Sequence, residues 1–295
     1  MGEEIQGSAR DTQRDAHWAK AIPRARDRWQ SRWLVGVVAP LLVVGAVKVC
    51  VSTVGGGSMQ SLLFPVGFSM GFAGLVWMLR SATLPAAGVG LLVCLITALV
   101  VRVPGGGLGF FARPALCALI ALFVLTFVAT RFGRRRKEAR GLAEARSGRR
   151  ASQVVANLGV AALCAAVGWY GGCLAALAEA TADTVSSEIG QALGGPTWLI
   201  TKFRRVPAGR DGGVSFAGSL GGVMGAGVVV MAGSLGFASW REGAVVFGAA
   251  CAGLVFDSVL GATVEERGWL GNDLVNFFST LFAVATWAVW KMIFG

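Results

Sequence analysis

The stretch ADTVSSEIG at residues 182–190 places two carboxylates and three hydroxyl groups shortly after the apolar run WYGGCLAALA at residues 169–178. An ionised carboxylate costs about 2.5–3.5 kcal/mol near the centre of a membrane-spanning helix. Acidic side chains in such a position are therefore rare, and they usually belong to a functional site. This stretch predicts a site, and the rest of the chain indicates what kind of site it is.

The composition of the whole chain is that of a membrane protein. Of its 295 residues, 55% are hydrophobic and 15% are charged, and the mean hydropathy is +0.64. Soluble domains have about 25% charged residues, so the deficit indicates a chain that lies mostly in a bilayer. The net charge of +11 does not predict a nucleic-acid partner. The basic residues lie in short segments between long apolar runs, as expected of positively charged cytosolic loops.

Apolar runs of the length that a spanning helix needs, about 17–25 residues, recur along the chain. The apolar stretch 152–190 is too long for one helix, and we predict two short spans that turn at Gly171-Gly172. This division concentrates lysine and arginine on the N-terminal side of the membrane, which favours a cytosolic N-terminus. The sequence predicts an all-α, polytopic transmembrane helical bundle of about nine spans: 33–51, 61–79, 82–101, 114–130, 152–168, 172–190, 214–237, 243–262 and 273–293.

The distribution of charge divides the chain into four parts. Residues 1–32 are predicted to be a basic cytosolic tail, and residues 33–130 a four-helix N-terminal membrane part. Residues 131–150 are predicted to be a basic cytosolic loop that sets the topology, with contact to anionic lipid or phosphate as the alternative. Residues 151–295 form the membrane part that carries the polar motifs and the predicted site.

The nine-span arrangement places the polar motifs at helix ends on the same, cytosolic side of the membrane. Convergence of polar groups from several helices is typical of a site in a membrane protein. We therefore predict a single site to which several motifs contribute. These motifs lie at 149–157, 183–188, 202–213, 257–265 and 272–276.

The residue types in these motifs restrict the chemistry. The six cysteines lie singly in apolar runs, and the one histidine lies in the N-terminal tail. The sequence also lacks a Ser-His-Asp set, a P-loop and a Rossmann glycine motif. Carboxylates can hold Mg²⁺ through one or two ligands together with substrate phosphates, and arginines neutralise phosphate oxygens. Phosphoryl transfer needs mainly positioning and charge neutralisation, so these residues fit a phosphotransfer site.

Four carboxylates are the predicted catalytic groups: Asp183, Glu188, Asp257 and Asp273. Asp183 and Asp257, in apolar surroundings, are also the predicted metal ligands. Glu188 lies about 140° from Asp183 on an ideal helix, so both cannot face one ion on a regular backbone. Asp273 has the alternative role of capping the last helix. The residues predicted to bind substrate or phosphate are Gln153, Asn157, Arg204, Arg205, Arg210, Asp211, Gly212, Gly213 and Asn276.

Two pairs of glycines each have a structural and a functional interpretation. Gly212-Gly213 can present backbone N–H groups to an anion at the start of a helix predicted from about Val214, or it can form an ordinary turn. Gly218 and Gly222 lie on a helix face without side-chain bulk. Such a face either packs closely against another helix or leaves room for a lipid tail.

These motifs resemble those of the integral-membrane family that contains transmembrane protein 19 and the plant phytyl-phosphate kinase of vitamin E synthesis. The resemblance covers about 149–280, and the first four helices match only in hydrophobicity. The chain departs from the family's usual residues at Val185, Arg210 and Glu265. The matching motifs are Arg149-Arg150 with Gln153-Val154 and Asn157, ATADT at 180–184, SEIG at 187–190, VPAG at 206–209, DGGVS at 211–215, DSVLGA at 257–262, and Asn272-Asp273 with Val275-Asn276.

The resemblance implies a membrane enzyme that phosphorylates an isoprenoid monophosphate to the diphosphate. CTP or ATP would enter with Mg²⁺ from the cytosolic side, and the lipid bilayer and the isoprenoid phosphate would be the partners. The predicted carboxylates would hold Mg²⁺ or orient the attacking phosphate, and the arginines of 204–210 would neutralise charge. The alternative is a membrane transporter or lipid carrier without chemistry, because short paired helices with acidic residues also suit coupled transport.

Overall fold

Ten helices and one small sheet make up the part of the chain that the computed structural model describes, which is residues 22–56, 59–101, 103, 109–143, 148–237 and 239–294. Nine of the helices correspond to the nine predicted spans, and α5 is a short additional helix. In chain order they are α1 Arg24–Gly55, α2 Leu63–Met78, α3 Leu84–Val100, α4 Pro114–Arg131, α5 Arg134–Ala139, α6 Ala151–Ala166, α7 Tyr170–Leu193, α8 Phe216–Ala232, α9 Trp240–Leu260 and α10 Asn272–Phe294.

Several of these helices are apolar enough to cross a membrane. Apolar side chains such as Val44, Met78 and Met292 face outward, as a surface in contact with lipid requires. The predicted all-α membrane fold is confirmed. The described residues contain five stretches with the length and hydropathy of a span: Arg24–Gly55, Met59–Met78, Pro114–Arg131, Trp240–Glu265 and Asn272–Phe294. The shorter apolar helices are Leu84–Val100, Ala151–Ala166 and Phe216–Ala232.

The first helix begins earlier than predicted, at Arg24 instead of residue 33. Its extra turns are held by the loop before α10. The Gln30 side chain donates to the carbonyl oxygen of Trp269 and accepts from the N–H of Gly271, both at 2.8 Å. Residues 24–32 therefore belong to the bundle, and their predicted place in the cytosolic tail is wrong. Residues 1–21 of the predicted tail and 144–147 of the predicted loop lie outside the described residues.

The long apolar stretch 152–190 is divided into two helices as predicted, but the break falls earlier in the chain. Gly168 between α6 and α7 has a φ of 82°, a left-handed value that glycine adopts at little cost. The predicted turn at Gly171-Gly172 is wrong, because both glycines lie inside α7. A Cβ on Gly171 would overlap the indole ring of Trp287, so these glycines allow α10 to pack closely against α7.

Helix α7 lies at the centre of the bundle and carries the acidic stretch. It packs against α4, α6, α8, α9 and α10, and most extensively against α8. A Cβ on Gly218 would lie 2.6 Å from the carbonyl oxygen of Ser186, and one on Gly222 would lie 2.6 Å from that of Ala182. This face packs backbone against backbone. The alternative that it leaves room for a lipid tail is therefore wrong.

The segment between α7 and α8, predicted to be a loop, folds into a three-stranded antiparallel sheet. Its strands are β1 Thr197–Leu199, β2 Arg204–Val206 and β3 Gly213–Ser215, in the order β2-β1-β3. Thr197 pairs with Val206 on one side and with Ser215 on the other. Because β3 leads directly into α8, the sheet holds the connecting loop 207–212 against the ends of the helices.

Candidate functional site

Polar side chains from several helices and from the sheet line one cavity of about 390 Å³ at the end of the bundle where α7 and α9 finish and α6, α8 and α10 begin. We call it the polar cavity. The structure brings the polar motifs together here, as the alternating direction of successive spans requires. Ten of the predicted site residues line it: Gln153, Asn157, Asp183, Glu188, Arg210, Asp211, Gly212, Gly213, Asp257 and Asn276.

Two carboxylates meet in the polar cavity, Asp183 from α7 and Asp257 from α9, and they interact directly. One oxygen of Asp257 is buried and has no hydrogen-bond partner among the described residues, and the same holds for both carboxylate oxygens of Glu179, one turn deeper on α7. Ser279 lies beside Glu179, but its hydroxyl donates to the carbonyl oxygen of Asn276 at 2.9 Å. Buried polar atoms are nearly always satisfied. The unpaired oxygens of Asp257 and Glu179 therefore indicate that a ligand binds at this cluster of carboxylates.

The donor set fits Mg²⁺ that arrives with phosphates. Among the described residues, no group of three or more histidine, cysteine, aspartate or glutamate side chains could hold a metal ion by itself. Asp183 and Asp257 supply two carboxylates, and Mg²⁺ is usually held by one or two carboxylates with substrate phosphates and water. Phosphate oxygens of a substrate, together with water, would complete such a coordination shell.

Arg149 lines the polar cavity, although it is not among the individual residues predicted to bind substrate or metal. Its guanidinium lies close enough to Asp183 for a favourable electrostatic interaction. Its backbone is fixed to the loop between α2 and α3: the N–H of Arg149 donates to Ser81 at 2.9 Å, and the N–H of Thr83 donates to Arg149 at 3.0 Å. The signal in the sequence was the position of Arg149-Arg150 directly before a helix that carries Gln153 and Asn157.

The three other predicted arginines have different surroundings. Arg210 lines the polar cavity and forms an ion pair with Glu266 at 2.8 Å, which links two loops. Arg204 and Arg205 are exposed on the edge strand β2, and they are not part of the cavity lining. The Arg205 guanidinium lies over the ring of Trp198, 5.2 Å from its centre. The structure therefore does not bring this pair of arginines to the carboxylates.

Glu188 lines the polar cavity, but its carboxylate is paired with a buried lysine. Lys137 on α5 is 1% exposed, and its amine forms an ion pair with the Glu188 carboxylate. The same amine donates to the carbonyl oxygens of Ala129 at 3.2 Å and Thr130 at 2.8 Å, in the last turn of α4. The sequence predicts this basic loop as a topology signal and does not single out the lysine. The one indication in the sequence is that Glu188 and Asp183 point about 140° apart around the helix axis. Glu188 is therefore expected to have a partner other than that of Asp183.

Asp273 does not line the polar cavity. It is buried in the first turn of α10 and accepts a hydrogen bond from the Ser31 hydroxyl at 2.6 Å. Ser31 belongs to the early turns of α1, so this contact joins the first helix to the last. Asn276, one turn further along α10, does reach the cavity and lies 3.4 Å from the side-chain oxygen of Asn157.

The Gly212-Gly213 turn packs against the backbone of neighbouring residues, and it does not begin a helix. The N–H of Gly213 donates to the carbonyl oxygen of Arg210 at 2.9 Å, so the predicted role of Gly213 as a free anion donor is wrong. The predicted helix start near Val214 is also early, because β3 intervenes. Helix α8 begins at Phe216, and the Ser215 hydroxyl caps it by accepting from the backbone of its first turn at 3.2 Å.

Substituting alanine for Gly212 is expected to destabilise the protein more than the same change at Gly141. Both glycines have a φ of +70°, so alanine at either costs about 1–2 kcal/mol in the left-handed conformation. A Cβ on Gly141 meets nothing within 4 Å, whereas one on Gly212 would overlap the backbone of Ala262. That overlap adds about 1–3 kcal/mol. Thermal unfolding of the two purified variants measures the difference, and equal shifts would contradict the contact.

The fold and the cavity define a class: a polytopic helical membrane protein with carboxylates and arginines gathered at one end of its bundle. Residues 67–284 match the family described as integral membrane protein DUF92, and the chain belongs to this family. The family membership predicted from the motifs is confirmed.

Three relatives are about one third identical to the chain over their aligned residues. The uncharacterized membrane protein sll0875 of Synechocystis sp. is 35% identical over 182 residues, which is 57% of this chain and 70% of that protein. Protein VTE6, chloroplastic, of Arabidopsis thaliana is 34% identical over 173 residues, 53% of this chain and 52% of the plant protein. The uncharacterized membrane protein MJ0933 of Methanocaldococcus jannaschii is 33% identical over 172 residues, 56% of this chain and 71% of that protein. No solved structure matches the chain.

Proposed function

We propose that the protein is a membrane kinase that phosphorylates an isoprenoid (phytyl-like) monophosphate to the diphosphate, with CTP or ATP as the donor and with Mg²⁺. The observation that carries the proposal is the pair Asp183 and Asp257 in a polar cavity that Arg149 and Arg210 also line. The resemblance to the family of the plant phytyl-phosphate kinase supplies the substrate class. Family membership supports the use of that resemblance.

Asp183 and Asp257 are the residues that would hold the metal. They come from two different helices, and a buried oxygen of Asp257 has no hydrogen-bond partner among the described residues. Bound Mg²⁺ supplies charge neutralisation to the phosphate oxygens of the nucleotide. Glu188 is not assigned to the metal, because its carboxylate is paired with Lys137.

Phosphoryl transfer requires that the two phosphates are positioned for the reaction and that their negative charge is neutralised. A terminal oxygen of the isoprenoid phosphate forms a bond to the γ-phosphorus, the bond from that phosphorus to the bridging oxygen breaks, and the nucleoside diphosphate leaves. No side chain has to remove a proton, because a phosphate monoester is largely ionised at neutral pH. Arg149 would orient the lipid phosphate next to Asp183, and Arg210 would bind the nucleotide phosphates.

We infer that the polar cavity opens to the cytosol, where the nucleotide is available. The basic helix α5 and its flanking arginines lie at this end of the bundle, and positively charged loops are retained in the cytosol. A cysteine introduced at the exposed Arg135 is expected to react with a membrane-impermeant thiol reagent only after the cells are permeabilised. Labelling of intact cells would contradict this orientation.

Purified protein incubated with geranylgeranyl or phytyl phosphate, Mg²⁺ and either CTP or ATP tests the proposed activity. We expect a diphosphate product with at least one of the nucleotides, and its loss on chelation of Mg²⁺. The Asp183→Asn variant gives the background. No diphosphate above that background contradicts the proposal. Flux of the lipid phosphate in proteoliposomes without nucleotide consumption would instead support the transporter alternative.

A further inference from the structure

A second cavity lies beside the polar cavity, and its lining is mainly apolar. It has a volume of about 440 Å³, within the range of about 300–1,000 Å³ that small-molecule sites occupy. Phe72 of α2, Val93 of α3, Leu119 and Phe123 of α4, and Ala180 of α7 line it. We call it the apolar cavity. The sequence does not indicate this cavity, because its wall combines both membrane parts of the chain.

We propose that the apolar cavity holds the isoprenoid chain of the lipid phosphate, with the phosphate at the junction with the polar cavity. This inference rests on the proposed function for the identity of the lipid. The apolar cavity is a different location for the tail from the predicted face of Gly218 and Gly222. That face is closed by backbone packing against α7.

Arginines at one end of the apolar cavity fit the phosphate. Arg80, Arg131, Arg134 and Arg149 all line it, and all come from helix ends or loops on the side of the polar cavity. Arg131 lies over the ring of Phe127, 3.4 Å from its centre, and Arg134 is partly exposed and forms an ion pair with Glu138 at 3.1 Å. Several guanidinium groups above an apolar interior are complementary to an anionic head on a hydrocarbon chain.

The two cavities share two wall residues, Arg149 and Asn157. A chain in the apolar cavity would therefore bring its phosphate to the guanidinium that also faces Asp183. Gly148 holds this arrangement in place. It has a φ of +80°, and a Cβ there would lie 2.6 Å from the carbonyl oxygen of Arg80. The backbone before Arg149 is thus pressed against the backbone of Arg80, another arginine of the same cavity.

The depth of the apolar cavity suits a single long chain. Its wall follows α4 from Arg131 to Leu119, about 18 Å at a rise of about 1.5 Å per residue. That is more than half of the ~30 Å hydrocarbon core of a bilayer. A chain of several isoprene units would be buried along this length, whereas a five-carbon chain would fill only the part near the arginines.

Filling the apolar cavity from Gly90 tests the proposal. Gly90 of α3 lines the cavity, and a Cβ there meets nothing within 4 Å. Gly88 on the same helix also meets nothing within 4 Å, but it is not part of the lining and is exposed. Gly90→Leu and Gly90→Phe reduce the cavity in steps, and Gly88→Phe is the matched control. Thermal unfolding of each purified variant checks that it is folded.

Direct binding of geranylgeranyl phosphate and dimethylallyl phosphate is measured without nucleotide, so the result does not depend on catalysis. We expect Gly90→Phe to weaken binding of the long-chain phosphate by about ten-fold or more, with a smaller loss for Gly90→Leu. Binding of the five-carbon phosphate is expected to change less than two-fold, and Gly88→Phe to bind both phosphates like the unmodified protein.

The tail site would be overturned by unchanged affinity for the long-chain phosphate in folded Gly90→Phe, or by an equal loss of affinity for both phosphates. A membrane phospholipid that stays bound when geranylgeranyl phosphate is added would also overturn it. Failure of the proposed function would give a different result. The unmodified protein would form no diphosphate, but its affinity for lipid phosphates would still depend on their chain length and on residue 90.

Discussion

Replacing Lys137 with alanine is expected to lower the free energy of unfolding by about 3–5 kcal/mol. The side chains of Lys137 and Glu188 are 1% and 9% exposed, and removal of one partner of a buried ion pair leaves an uncompensated charge. The amine also donates to the carbonyl oxygens of Ala129 and Thr130, which would lose that donor. Thermal or denaturant unfolding of the purified protein in detergent measures the loss.

Two further variants separate the ion pair from other effects of the substitution. Lys137→Met combined with Glu188→Leu removes both charges, and we expect it to be more stable than Lys137→Ala alone, because apolar replacement of a buried pair is often neutral or stabilising. Arg134→Ala breaks the half-exposed pair with Glu138 and is expected to cost less than about 1 kcal/mol. If Lys137→Ala costs no more than Arg134→Ala, the pair of Lys137 and Glu188 does not stabilise the fold as a buried ion pair.

The fold could be predicted from the sequence because the bilayer imposes a minimum length on each apolar run. The division of 152–190 into two helices followed from that length and from the distribution of charge. The position of the break did not, because three glycines lie within a few residues of one another. Which of them turns the chain depends on Trp287, whose ring packs on Gly171 from a distant helix.

The polar cavity could be predicted in part for the same reason. Successive spans reverse direction, so the polar ends of α6, α7, α9 and α10 must meet at one end of the bundle. Loops are not constrained in this way. The strand order β2-β1-β3 puts Arg204 and Arg205 on an outer edge, and the contact between Arg149 and the loop after α2 puts that arginine inside. Neither arrangement has a periodic signal in the sequence.

Substituting asparagine for Asp183 is expected to lower kcat/KM for diphosphate formation by about 10²–10³-fold, the size of effect seen when one group that stabilises transition-state charge is lost. Asparagine keeps the shape of the side chain, so the fold should persist. Asp257→Asn is expected to have a similar effect, and the double variant to lose little more than either, because residues that act as a unit are strongly non-additive.

The dependence on Mg²⁺ distinguishes a metal ligand from a carboxylate that only supports the fold. If Asp183 and Asp257 hold the ion, each single variant should need more Mg²⁺ for half-maximal rate, since one of two protein ligands is missing. Asp273→Asn is the comparison, because Asp273 is buried at the same end of the bundle but bonds to Ser31 and does not line the polar cavity. It should lower the unfolding temperature and leave the Mg²⁺ dependence unchanged. An equal shift in Mg²⁺ dependence for all three variants would mean that the site extends beyond the polar cavity to the junction of α1 and α10.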